Sequence, residues 1–228
     1  MVGENGGTGW RTWKTRTVEI AVEGEGRAWS WAASADEAEV RRREADELIG
    51  ARIRAVRYFT LDYRRHELFP ELLDDGPRSI DAEPERSEPI WLCAGFDAVD
   101  HGFEVTTDTG TVFSLTWDPP GAREGIGLRP TPMLGSGVRS DADVAIWDVG
   151  EDSPSWAPMV GRRVTGVDLH DVPWEEGRGS LWCPRITIRF EGGLVEVVLG
   201  DSEDDVLVPS ADNVAVLHPG TPLPSWLA

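Results

Sequence analysis

Apolar positions recur in the same order twice along the chain. Residues 48–63, LIGARIRAVRYFTLDY, lie over residues 159–174, MVGRRVTGVDLHDVPW, at an offset of 111. That sets Ile49-Gly50 over Val160-Gly161, Ile53 over Val164, Val56 over Val167 and Tyr63 over Trp174. Apolar residues and a glycine coincide while charges drift, as when a core is shared and a surface is not. The correspondence resumes at an offset of 83, with FEVTTDTGTVFSLTW (103–117) over ITIRFEGGLVEVVLG (186–200). Each stretch alternates apolar and polar residues, enters a turn whose glycine can take positive φ, and returns through a run rich in Val, Phe or Leu. Both are therefore predicted to be β-hairpins. Ile53, Val56, Val105, Val112, Leu115, Val164, Val167, Ile188, Val195 and Val197 or Val198 are the expected core.

Ahead of each glycine the pattern predicts a tryptophan-bearing strand, RAWSWAA (27–33) and DVAIWDV (143–149), followed by a helix. In the first copy Ser34 and Glu37 form a capping box, Ala38, Ala45, Leu48 and Ile49 keep helical spacing, and Gly50 suits the C′ position. In the second, Ser153 caps and Pro154 opens the helix, but Pro158 limits it to about one turn.

The predicted fold is mainly β, with a minor α+β character: two tandem copies of a small β-rich unit, each with one short helix, packed with pseudo-twofold symmetry. A unit of a few strands covers its own sheet poorly, and two units can bury each other. Residues 1–33 supply an N-terminal strand segment to the first copy, which runs 34–125. Residues 126–142 form a Pro- and Gly-rich joint, and 143–228 form the second copy. The first copy carries an excursion at 64–90, with prolines at 70, 77, 84 and 89, and loops of that length are uncommon inside compact domains.

Composition narrows the function classes. Across 228 residues, 22 basic against 41 acidic side chains give −19, a field that repels phosphate backbones and anionic lipid headgroups. Free nucleic acid and membrane are not expected partners, and a basic protein is. No apolar run approaches the roughly 20 residues of a membrane span, and the N-terminus shows no leader pattern, so a cytoplasmic location is expected. Cys93 and Cys183 are too few for a disulfide framework or a zinc site and are expected to be buried thiols.

Candidate chemistry is sparse. Asp168, His170 and Asp171 are the densest group, where a histidine flanked by carboxylates could act as a base of raised pKa or hold a metal. On a strand, however, 168 and 170 share a face while 171 points away. The matched positions of the first copy, Arg57, Phe59 and Thr60, offer no ligands. Asp100 and His101 form an ordinary polar turn. No nucleophile elbow, Walker loop or dinucleotide fingerprint is present. No catalytic residue, metal or cofactor is predicted.

What remains is acid. GDSEDDV (200–206) supplies Asp201, Glu203, Asp204 and Asp205, without the spacing or closing glutamate of an EF-hand. PWEEG (173–177) places Trp174 beside Glu175 and Glu176, an aromatic anchor in an acidic surround. The expected function is a non-enzymatic protein-binding module, immunity- or antitoxin-like, or an accessory subunit of a bacterial defence or regulatory assembly. These seven residues would meet a basic partner. The alternatives are a small-molecule-binding domain or enzyme with its site between the copies, and a homo-oligomeric structural component.

Overall fold

A computed structural model of the chain describes residues 34–61, 78–79, 91–117, 125–133, 144–173, 181–210 and 213–227. The expected strand at 27–33 and most of the 64–90 excursion lie outside them. In chain order the elements are helix α1 (Ala35–Asp46) and strands β1 (Ile53–Leu61), β2 (Arg78–Ser79), β3 (Leu92–Cys93), β4 (Phe96–Val99), β5 (Gly102–Thr107), β6 (Val112–Trp117), β7 (Ile126–Arg129) and β8 (Val144–Asp148). There follow β9 (Val164–Leu169), β10 (Val172–Pro173), β11 (Leu181–Trp182), β12 (Arg185–Phe190), β13 (Gly193–Leu199), β14 (Asp201–Glu203), β15 (Val206–Val208) and β16 (Val214–Leu217), then a 3₁₀ turn at Ser225–Leu227.

The architecture is mainly β, with two main antiparallel sheets and one short α-helix. The first sheet runs β2-β8-β1-β5-β6-β7, with β2 joining parallel to β8, and the second runs β3-β4-β16-β13-β12-β9. The capping box forms at α1: Ser34 Oγ accepts from the Glu37 amide, and the Glu37 carboxylate accepts from the Ser34 amide at 2.9 Å. Gly50 then turns the chain at φ +91°.

The second expected helix does not form. Residues 150–161 are a run of turns, held by single bonds such as Ala157 N–H to Ser153 O and Val160 N–H to Trp156 O. Proline is the reason, because Pro158 brings no N–H for the carbonyl of Pro154 and its ring crowds that carbonyl, so the i→i−4 ladder cannot propagate. Gly161 ends the run at φ +80°. The first residues of the expected joint at 126–142 form β7, whose Ile126 and Leu128 are buried beside β6. Alternation over four residues outweighs the Gly and Pro content around them.

Register carries more detail than the sequence offsets. In β1 against β5, Val56 faces Val105 and Tyr58 faces Phe103, with a bulge at Arg54. In β9 against β12, Val167 faces Ile188 and Leu169 faces Ile186, with a bulge between Val164 and Gly166. The bulged residues, 54 and 165, stand at the offset of 111. Through the hairpin turn the offset falls from 83 to 82, because five residues separate Thr106 from Val112 and four separate Arg189 from Leu194. That slip puts Val112 in the slot of exposed Leu194, and Val112 is only half-buried. Val167 is likewise half-buried, while the other expected core residues are buried.

Where β1 and β9 begin, the backbone bonds are reciprocal. Gly50 N–H donates to Val164 O at 2.9 Å and Gly161 N–H to Ile53 O at 2.7 Å. Arg52 Nη1 donates to Gly161 O, and Arg163 Nη1 donates to Gly50 O. Asp108 N–H donates to Arg52 O, and Glu191 N–H donates to Arg163 O.

The sheets nevertheless do not divide the chain at its midpoint. Strand β4, from the first half, lies in the second sheet against β16, and β8, from the second half, lies in the first sheet against β1. Between the sheets, Trp156 stands edge-on to Phe103 of β5, with ring centroids 5.3 Å apart, and to Phe190 of β12, at 6.3 Å.

Candidate functional site

Four of the seven expected partner-binding residues lie on one hairpin, β14–β15. Glu203 pairs with Val206, so Asp204 and Asp205 alone form the loop, at φ +50° and +62°. A two-residue loop with both φ values positive is the geometry that matches the twist of its strands, and short polar residues enter it most readily after glycine and asparagine. Glu203, Asp204 and Asp205 are exposed and Asp201 is half-buried, its Oδ1 accepting from the Ser202 amide at 2.7 Å. Trp174, Glu175 and Glu176 lie outside the described residues. No lysine or arginine follows Arg189 in the sequence, and where acids of this last stretch are paired, as Glu191 and Glu196 are, the arginine comes from earlier in the chain.

The Asp168, His170 and Asp171 group is dispersed by its partners. Asp168 pairs with Arg189, and Asp171 with Arg42 of α1 at 2.8 Å. The His170 ring meets Thr187 Oγ1 at 2.7 Å and Arg185 Nη2 at 2.9 Å. Burial and then Arg185 push the imidazole below its ordinary value, against the opposing pull of Glu196 and Asp168. A base of raised pKa is therefore not what this histidine offers. Among the described residues no cluster of histidine, cysteine and carboxylates could hold a metal.

A second polar centre carries no motif in the sequence. The Asp97 carboxylate, fully buried on β4, draws three donors from separate parts of the chain: Tyr58 Oη at 2.6 Å, Ser153 Oγ at 2.5 Å and His218 Nε2 at 2.6 Å. Tyr58 belongs to β1 of the first sheet, Asp97 to the second, Ser153 to the turns before β9, and His218 follows β16. The contacts run donor, carboxylate, donor. The imidazole reaches the carboxylate and neither hydroxyl, so no hydroxyl has a base to activate it as a nucleophile. Tyr58 and Ser153 are themselves sealed from solvent. The arrangement pins the sheets together. The sequence signal was FDAV (96–99): a strand apolar on both faces is buried on both, so the aspartate within it requires partners.

The cysteines differ. Cys183 is buried, as expected, whereas Cys93 is only half-buried, with its thiol 3.5 Å from Ser202 Oγ. Burial and then Asp171 raise the Cys183 thiol from 9.0 to about 12, and burial and then Asp97 hold the Tyr58 phenol well above 10.0. Both groups keep their protons more tightly folded than unfolded. Their contribution is thus complete below about pH 9, and it falls as pH rises toward 12, by about 1.4 kcal/mol per pH unit for each group in its window. Urea midpoints measured at stepped pH are expected to decline from pH 9 upward in the parent. The decline should be shallower in Cys183→Ser, which keeps a donor for the Arg185 carbonyl. Equal slopes in the two proteins would refute the assignment to this thiol.

No protein-family model matches the chain, and no curated protein or solved structure does so. Among the described residues, no helix is long and apolar enough to cross a membrane.

Proposed function

We propose that this chain is a non-enzymatic, acidic protein-binding module of the cytoplasm, immunity- or antitoxin-like or an accessory subunit. Its scaffold is a tandem duplication packed with pseudo-twofold symmetry. The reciprocal bonds at Gly50 and Gly161 support the duplication, because contact of i with j matched by j with i is the mark of a twofold relation. Bulges at matched positions support it independently.

The observation that carries the function is the β14–β15 hairpin. It holds exposed acids on a tight loop, in a stretch of chain with no lysine or arginine of its own. Such a surface steers a basic partner and sets its encounter rate more than its lifetime. With a partner purified from the native host, reversal of Asp201, Glu203, Asp204 and Asp205 to Lys should slow association by roughly tenfold or more at low salt and much less at high salt. Trp174→Ala should speed dissociation. Unchanged kinetics in both variants at low ionic strength would move the site elsewhere.

A further inference from the structure

On its outer face the second sheet carries a small apolar cluster of its own, Phe96, Ala98, Val198, Ala215 and Leu217, separate from the core between the sheets. Three pieces of chain roof it: Cys93 of β3, Leu207 of β15 and Leu227 of the C-terminal turn. The roof closes tightly at Gly200, where an added β-carbon would stand 2.8 Å from Leu207 Cδ1 and 3.5 Å from the Trp226 ring. Outside the roof stand Val206, 61% exposed, and Trp226, whose ring lies by Gly200. Both are large hydrophobic residues left exposed beside one apolar cluster, and such exposure marks contact surfaces.

We infer that this patch and the acidic hairpin beside it form one docking face for a segment of a partner protein in which arginines or lysines are interleaved with large apolar residues. The inference rests on the protein-binding reading above and adds to it the partner's chemistry and a second set of contacts. Charge selects the occupant. A second copy of the chain would bring the same four acids against themselves, and anionic lipid or nucleic acid meets the same repulsion. A purely basic segment would leave Val206 and Trp226 in water, and a purely apolar one would leave the acids unmatched. Trp226 is the anchor, an aromatic ring beside Gly200, the residue that leads into the acidic hairpin. The C-terminal segment that carries it is rooted by the His218 amide and Thr221 Oγ1, which both donate to Gly95 O.

The test uses the full chain and three short synthetic peptides: Arg alternating with Leu, Arg alternating with Ser, and Glu alternating with Leu. Binding is followed by calorimetry and by amide shifts. The Arg-Leu peptide should bind and perturb residues 201–208 and 222–227, while the other two bind about tenfold or more weakly. Trp226→Ala with Val206→Ser, both at exposed positions, should weaken the Arg-Leu peptide by about tenfold or more with the unfolding midpoint little changed. Equal binding of the Arg-Ser peptide, indifference to the double substitution, or perturbations elsewhere overturns the inference. The two readings fail separately. If a host partner loses association on reversal of the hairpin acids but ignores Trp226→Ala and Val206→Ser, the protein-binding reading stands and the composite face does not.

Discussion

Asp97→Ala is expected to destabilise the protein by about 3–5 kcal/mol, the range for removing one partner of a buried charged network. The substitution strands a phenol, a hydroxyl and an imidazole N–H at once, each at a site that water does not reach or barely reaches. Asp97→Asn keeps one acceptor oxygen but turns an amide donor toward groups that donate to the carboxylate, so a hydroxyl must rotate to accept from it, and the change should cost about 1–3 kcal/mol. Tyr58→Phe removes a donor and leaves the carboxylate two others, for about 1 kcal/mol. The order Ala, Asn, Phe is the specific claim, read from urea unfolding of the four proteins. Were Asp97→Ala to cost under about 1 kcal/mol, the centre would not be what joins the sheets.

Trp156→Ala should cost a similar amount, about 3–5 kcal/mol, by a different route. The ring fills the space between Phe103 of one sheet and Phe190 of the other, and turns held by two prolines cannot easily collapse inward to close the void. Trp156→Phe should recover about half of the loss. It shortens the ring but also removes an indole N–H that makes no hydrogen bond despite its place near the Tyr58 hydroxyl. If the two variants were equally unstable, polar satisfaction would have outweighed volume at this position.

Hairpins, the capping box and the turning glycines were legible because each depends on residues within a few positions of one another. Gly50, Gly110, Gly161 and Gly192 all adopt positive φ where the pattern asked for a turn. The strand β7 was hidden by glycine and proline on either side, although Ile126 and Leu128 alternate as a strand should. The second helix, expected to last about one turn, does not form, because Pro158 ends within a turn what Ser153 and Pro154 could start. The pairing of β4 with β16 leaves no trace in any window, since Phe96 and Leu217 meet only through the fold. The three donors on Asp97 were illegible for the same reason. Of the expected docking residues, the four acids of 201–205 come together on one hairpin, whereas Trp226, which is not among them, sits in a Pro-rich tail that has no periodicity to read.

The exchange of β4 and β8 between the sheets sets the order in which this protein can be made. Val99 leaves the ribosome 115 residues before Val214, the residue it pairs with. At roughly 5–20 residues per second, β4 waits on the order of 6–20 s for its neighbour. For that interval a strand of Phe, Ala and Val, with one aspartate, has no sheet to enter. The first sheet can be completed sooner, once β8 at Val144–Asp148 seals the flank of β1. Neither half of the chain is a folding unit by itself, and the second sheet closes only once β16 has been made. The nascent chain is therefore a client for chaperones that shield apolar strands, and shortening it from the C-terminus removes β16 and leaves β4, made long before, with an open edge.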